Sequence, residues 1–302
     1  MKGGYTMPNT KKVLVTGASG QQGGSVINAL LKRGHNVRGL TRNLGSDAAE
    51  ALRARGVEIV KGNFNDHDSL VRAATGVDAV FAMSTPFENG VDVETKQGIT
   101  LTNAIAEAGS PHLVFSSVAS ADKATGIPHF DSKYDVEQHL LSTGLNTTII
   151  APVYFMENAT SPWFLPALKE GKLSLALKGT TPLQQVAVED VGAFAASIIE
   201  RGEAVYGKRY DIAGDSLTGL EAAEFLTEAS GHDIRYEGFP ADALRPDNED
   251  FALMFEWFEN VGYSTDIDSL REDFPEVGWH DYPSWVKKQD WCVLSTILSE
   301  CA

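Results

Sequence analysis

The sequence predicts an α/β protein built on a doubly wound parallel sheet, with a smaller α+β domain after it. Three observations predict this. The short run Val13 to Thr16 passes straight into glycines spaced three apart, Gly17, Gly20 and Gly23. An apolar stripe at Val26, Ile27, Leu30 and Leu31 then marks a helix. Apolar runs alternate with helical stripes six times over about the first 150 residues, the pattern of parallel strands joined by crossover helices. Beyond it the beat stops: Pro152, Pro162, Pro166 and Pro182 interrupt the chain, and Trp163, Phe164 and Leu165 bring apolar bulk. A Rossmann-type domain is expected over 11–151 and a discontinuous C-terminal substrate or cap domain over 152–302, with 186–213 returning to the sheet.

The elements follow in order. Gly34 closes the first helix. Val37 to Thr41 is the second strand. Ser46 caps a helix over Asp47 to Arg55 that Gly56 ends. Val57 to Lys61 is the third strand, and Asp66 caps the helix through Ala74. Ala79 to Met83 is the fourth strand, followed by the lip Ser84-Thr85-Pro86-Phe87 and a helix over Asp92 to Ala108. His112 to Phe115 is the fifth strand, Phe130 to Ser142 a helix and Thr147 to Ala151 the sixth strand. Val186 to Val188 reads as extended, Val191 to Ile199 as helix, Arg209 to Ile212 as strand and Leu220 to Ala229 as helix. The aromatic-rich Phe251 to Phe258 reads as another helix. Residues 1–10 read as a flexible lead, and the apolar tail Trp291 to Leu298 as packing on its own domain.

Composition narrows the function. The chain has 302 residues and a formal net charge of −16. Nucleic acid and anionic membranes both require a positive field, so neither is an expected partner. An anionic cofactor must be held by local groups. Cys292 and Cys301, the two cysteines of the sequence, give no zinc spacing and no disulfide framework, which fits a reducing cytoplasm. There is no expected metal site and no run long enough to span a bilayer.

The glycine loop has the form of a dinucleotide cradle. Glycine allows the turn off the strand and a close approach of backbone to a pyrophosphate, and the helix N-terminus favours negative charge. Gly17, Ser19, Gly20, Gln21, Gln22 and Gly23 are the candidate ligands. At the end of the second strand, roughly 20 residues on, a carboxylate would bind the ribose of NAD. Here stand Thr41-Arg42-Asn43. A guanidinium accepts a 2′-phosphate with paired hydrogen bonds, so NADP(H) is the expected cofactor, with Arg38 as an alternative phosphate ligand. Asn63 and Phe64 are placed for the adenine, although Phe64 serves equally as core. Ser84, Thr85 and Ser116 line the same strand ends. Pro152, Tyr154 and Phe155 are expected beside the nicotinamide, and Phe87, Tyr154, Met156, Asn158 and Trp163 beside a small apolar substrate.

The reductase arrangement sought on the helix after the fifth strand is Tyr-x-x-x-Lys, because i, i+4 spacing puts both side chains on one face. Lys133 fills the lysine position, but the tyrosine position is His129 and Tyr134 points off that face. Lys133 is expected to hold the nicotinamide ribose. His129 can serve as the acid near neutral pH, or be only a polar residue at a helix start.

Several stretches resemble the NmrA-like family of atypical short-chain dehydrogenases/reductases. They are Thr16-Gly17-Ala18-Ser19-Gly20 with Gly23-Gly24, Thr41-Arg42, Pro128 to Lys133, Pro152 to Asn158, Val188 to Gly192, and Asn260 to Ile267. The resemblance covers about residues 11–290. It implies a Rossmann domain with a small C-terminal domain, and NADP(H) in the cleft. It also implies one of two functions. The first is an NADPH-dependent reductase of phenylpropanoid-, isoflavone- or quinone-like molecules. The second is a noncatalytic redox sensor that binds NADP(H) and then a regulatory protein partner. The missing tyrosine fits the sensors; His129, Lys133 and the aromatic cap fit the reductases. Either a monomer or a homodimer is compatible with the sequence.

Overall fold

The computed structural model describes residues 10–109 and 111–294. The proposed lead, apart from Thr10, and the end of the tail beyond Leu294, Cys301 included, lie outside the described residues. In chain order the elements are β1 (Lys12–Val15), α1 (Gln21–Lys32), β2 (Asn36–Thr41), α2 (Asp47–Ala54), β3 (Glu58–Lys61), α3 (His67–Ala74), β4 (Ala79–Met83), α4 (Val91–Glu107), β5 (His112–Ser116), α5 (Pro128–Ser142) and β6 (Thr147–Pro152). There follow β7 (Tyr154–Phe155), α6 (Leu165–Lys169), β8 (Lys172–Leu175), β9 (Pro182–Val186), α7 (Val188–Arg201), β10 (Arg209–Ile212), β11 (Asp215–Thr218), α8 (Gly219–Ser230), β12 (Arg235–Gly238), α9 (Glu249–Asn260), α10 (Ile267–Asp273) and α11 (Tyr282–Lys288).

The seven-stranded sheet has the order β10-β6-β5-β4-β1-β2-β3. This is the doubly wound order, in which the chain reverses direction beside β1 and ligands bind at the carboxyl ends of the strands there. β1 pairs in parallel with both β2 and β4. Val13, Leu14 and Val15 are fully buried, as are Val80, Phe81 and Val114. That burial explains why these strands read as continuous apolar runs instead of alternating ones. The expected caps are present: Ser46 Oγ accepts from Ala49 N–H at 3.3 Å, and Asp66 Oδ1 from Ser69 N–H at 3.1 Å.

The chain divides into two compact units. The first comprises Met1–Ser117, Ser132–Ile150 and Val191–Tyr210; the second comprises Val118–Asp131, Ala151–Asp190 and Asp211–Ala302. Two segments depart from the expected halves. Residues 118–131 group with the second unit, and residues 191–210, mostly α7, with the first. The return to the sheet is narrower than the expected 186–213: only β10 joins it, on the edge beside β6. The stretch expected to be extended at 186–188 is instead the end of β9 and the start of α7. The helix can begin there because the Glu157 carboxylate accepts the Val188 N–H at 3.0 Å from both oxygens and so caps it.

The second unit holds a three-stranded sheet, β11-β9-β7, and a two-stranded sheet, β12-β8. Its core gathers Met156, Leu173, Leu217, Leu226, Tyr282, Trp285, Trp291 and Leu294. The described part of the tail therefore packs into its own unit. Among the described residues, no helix is long and apolar enough to cross a membrane.

Candidate functional site

In the first unit the glycine loop has the shape of a cradle. Gly17 sits at φ +59°, in the left-handed region open to glycine without strain. Gly20 donates its N–H to Gly17 O at 2.8 Å, closing the turn. Gly23 is the position with no room: a Cβ there would lie 2.2 Å from Gly17 O and 2.8 Å from Thr16 O. That absent Cβ lets α1 start directly under the loop. The N-terminus of α1 has no side-chain cap and no acidic residue in its first turn. Its first N–H groups and the positive end of its dipole are therefore available to an anion. Ser19, Gly20 and Gln21 are exposed and Gln22 is half-buried.

Neighbouring strand ends are tied to this loop. Thr16 Oγ1 accepts from Met83 N–H at 3.0 Å, locking β1 to β4. Ser116 Oγ donates to Gln22 Oε1 at 2.7 Å. Ser117 turns the other way and donates to the buried Glu137, which also accepts from Arg209 Nε at 3.1 Å. Of the two serines at this strand end, Ser116 is the one beside the glycine loop.

At the end of β2, Arg42 is exposed and carries a fork: Nη1 to Glu88 Oε2 at 2.9 Å and Nη2 to Glu88 Oε1 at 3.2 Å. Arg38 is committed elsewhere, donating Nη1 to Ala73 O at 2.6 Å and Thr75 O at 3.0 Å. Asn63 is exposed, and its Oδ1 accepts Asn65 N–H at 3.0 Å. Phe64 is partly buried against the core of Leu14, Leu40 and Leu70. Ser84 and Thr85 follow β4 as expected, and Phe87 is 67% exposed.

Lys133 is buried and held by partners the sequence did not suggest. Its Nζ donates to Glu94 Oε1 at 2.5 Å and to Ser84 O at 2.5 Å. Glu94 is fully buried on α4 and also accepts from Ser132 Oγ at 2.6 Å and Ser84 Oγ at 3.1 Å. Lys133 thus joins α5, α4 and the lip after β4 within the first unit.

In the second unit, the first turn of α5 brings His129 Nδ1 to Asp250 Oδ1 at 2.6 Å. The imidazole lies edge-on to Phe130 (4.8 Å between centroids) and near Phe251 (6.3 Å). Trp163, 74% exposed, reaches Phe251 at 6.2 Å, so an aromatic strip runs from solvent to His129. Phe130 packs in turn on Trp257 and Tyr263. Burial pushes the phenols of Tyr154 and Tyr263 well above their ordinary range, against an opposing hydrogen bond from Asn158 to Tyr154. Pro152 is buried and Phe155 half-buried. Met156 is fully buried in the core of its unit.

Two further groups are structural. Trp285 Nε1 donates to Glu157 at 3.0 Å, and Asp190, fully buried, accepts His280 N–H at 2.8 Å and faces His280 Nδ1 at 2.6 Å. Sequence reasoning missed Glu94, Asp250 and Glu88, which lie 39, 121 and 46 residues from the side chains they hold. No local periodicity reports such pairings. Among the described residues, no group of three or more His, Cys, Asp or Glu is placed to hold a metal ion.

The doubly wound sheet and its glycine cradle define a dinucleotide-binding fold. The NmrA-like family model matches residues 9–285, and the chain belongs to that family. It is 29% identical over 257 residues to a photosystem II assembly factor of Synechocystis, covering 83% of this chain and 77% of that one. It is 30% identical over 235 residues to the (4-alkanoyl-5-oxo-2,5-dihydrofuran-3-yl)methyl phosphate reductase of Streptomyces griseus, covering 77% and 79%. The NADPH-dependent quinone oxidoreductase of Escherichia coli, solved with NADPH, superposes with a TM-score of 0.75 at 25% identity over 91% of this chain and 98% of that one.

Proposed function

We propose that this protein is an NADPH-dependent reductase of a small apolar carbonyl, enone, imine or quinone. The observation that carries the cofactor part of the reading is the cradle at Gly23, where a Cβ would strike Gly17 O at 2.2 Å. It leaves the uncapped N-terminus of α1 open to a pyrophosphate, with a guanidinium, not a carboxylate, at the end of β2. Gly17, Ser19, Gly20, Gln21, Gln22 and Gly23 would hold the pyrophosphate and Arg42 the 2′-phosphate, with Asn63 at the adenine. The Streptomyces reductase and the Escherichia coli quinone oxidoreductase support the same class.

NADPH, when bound, supplies a hydride. The remaining need is a proton for the heteroatom of the reduced group. His129 is the side chain assigned to it. Its Nδ1 pairs with Asp250 Oδ1 at 2.6 Å, which orients the ring, and an oriented imidazole is a competent general acid. Trp163 and Phe251 give the flat apolar surface an aromatic or quinonoid substrate needs. Lys133, held by Glu94 and by Ser84 O and Oγ, is in this reading the ribose ligand.

A second reading, an NADP(H) sensor acting through a protein partner, is favoured by one observation. The Lys133 ammonium is paired with a fully buried carboxylate, which suits a rigid strut as well as a cofactor ligand. One relative, in Synechocystis, is a photosystem II assembly factor. The deciding experiment follows NADPH oxidation by absorbance against quinones, enones, aldehydes and imines, with His129→Asn beside the wild type. Turnover lost in the variant while NADPH binding persists supports the reductase. Absence of turnover with tight NADPH binding supports the sensor.

A further inference from the structure

We propose that Glu88 is a latch on the phosphate anchor: its carboxylate occupies the Arg42 fork until a 2′-phosphate displaces it, and so limits the preference for NADPH over NADH. The proposal rests on the reading of Arg42 as the 2′-phosphate ligand.

The geometry is that of a phosphate mimic. Glu88 meets Arg42 with paired bonds from Nη1 and Nη2, at 2.9 and 3.2 Å, the fork a guanidinium also offers to a phosphate. The two residues follow β2 and β4, which both flank β1, so the pair stands at the carboxyl ends of the strands beside the glycine loop. The backbone that carries Arg42 is held in place. Its turn is fixed by Asn43 N–H to Thr41 Oγ1 at 3.2 Å, Gly45 N–H to Asn43 Oδ1 at 3.0 Å, Ser46 Oγ to Asn43 O at 3.2 Å and Arg53 Nη1 to Leu44 O at 2.7 Å. Arg38 is bound to the end of α3 and cannot replace it.

Glu88 is therefore the partner that must move. It sits between Phe87 and Gly90 on the segment leading into α4, with side-chain exposure of 51% against 71% for Arg42. An exposed pair of this kind is weak, and a phosphate monoester carrying close to two charges near neutral pH outcompetes a single carboxylate at the same fork. The cost of opening the pair, and the repulsion from a displaced carboxylate nearby, fall on NADPH alone. NADH carries no group for the fork and leaves the latch closed.

The experiment measures dissociation constants of NADPH, NADH, 2′,5′-ADP and ADP for the wild type, Glu88→Gln, Arg42→Ala and the double variant, with thermal melts to confirm folding. Glu88→Gln is expected to tighten NADPH and 2′,5′-ADP roughly two- to fivefold, the scale of an exposed ion pair, while NADH and ADP stay unchanged. In the Arg42→Ala background the same change is expected to do less, because only the carboxylate–phosphate repulsion is left to remove. An unchanged NADPH constant in Glu88→Gln overturns the latch. So does equal tightening of NADH, or weakened NADH binding, which would make Glu88 a ribose ligand. Wild type against Arg42→Ala reads the anchor separately: loss of NADPH preference there with no effect of Glu88→Gln keeps the anchor and removes the latch.

Discussion

Replacing Lys133 with methionine tests the buried strut, and its outcome governs how any catalytic assay of this lysine is read. The Lys133 side chain is 11% exposed and that of Glu94 0%. Removing one partner of a buried ion pair leaves an uncompensated charge and costs about 3–5 kcal/mol. Glu94 keeps two serine hydroxyls, Ser84 and Ser132, so the lower end, about 3 kcal/mol, is expected. At ~2–4 °C per kcal/mol for a chain of this size, that is a fall in Tm of about 6–12 °C. Glu94→Gln added to Lys133→Met removes the orphan charge and keeps an acceptor for the hydroxyls, and is expected to recover most of the loss. Urea unfolding and thermal melts read both variants. Lys133→Met within about 1 kcal/mol of wild type, or a double variant no better than the single, would refute the reasoning. The stable double variant, not Lys133→Ala, is then the protein in which a role at the ribose is measured.

Gly23→Ala is expected to abolish NADPH binding and to cost about 1–3 kcal/mol of stability by overpacking, whereas Gly24→Ala, whose Cβ meets nothing within 4 Å, leaves the affinity intact; titration of the two side by side checks it. His129→Asn is expected to lower kcat by about 100-fold or more, and Asp250→Asn to lower it with KM little changed, because the ring loses its fixed orientation; steady-state kinetics on the first substrate found would show this. His112 is held near pKa 4 by burial, chiefly, and by Lys11. The unfolded state binds its proton more readily, so stability is full above about pH 6.5 and is lost as pH falls toward about 4, by up to ~3 kcal/mol; His112→Gln should flatten urea stability across that window. The Asp190 hydrogen bond pushes His280 the opposite way, so its contribution is full below the ordinary histidine range and declines as pH rises through the raised value, a slope that Asp190→Asn should remove.

Much of the first unit was legible because its signals are local. A strand, glycines three apart and a helical stripe lie within one stretch of chain, and Ser46 and Asp66 cap helices three residues ahead of them. The second unit was less so. Its strands β7, β8, β11 and β12 run two to four residues, too short to show a period of two, and they acquire their identity by pairing across the chain. Leu183 and Val186 of β9 and Leu217 of β11 read as scattered apolar residues until Asp215 to Thr218 lie against Pro182 to Gln185.

The same physics divides the site. The cradle at Gly17 and Gly23 is a backbone device, so the residue types announce it. The side-chain roles depend on what neutralises each charge, and those partners come from other elements. The i, i+4 spacing of His129 and Lys133 on α5 is real, yet their environments differ: one ring is held by Asp250 on α9, while one ammonium is held by Glu94 on α4. A spacing rule on a single helix sees two polar residues on one face. It cannot see that the lysine is paired with a carboxylate denied to solvent, while the histidine ring is oriented by a carboxylate from another helix. That difference in partners is what the His129→Asn and Lys133→Met variants would read separately.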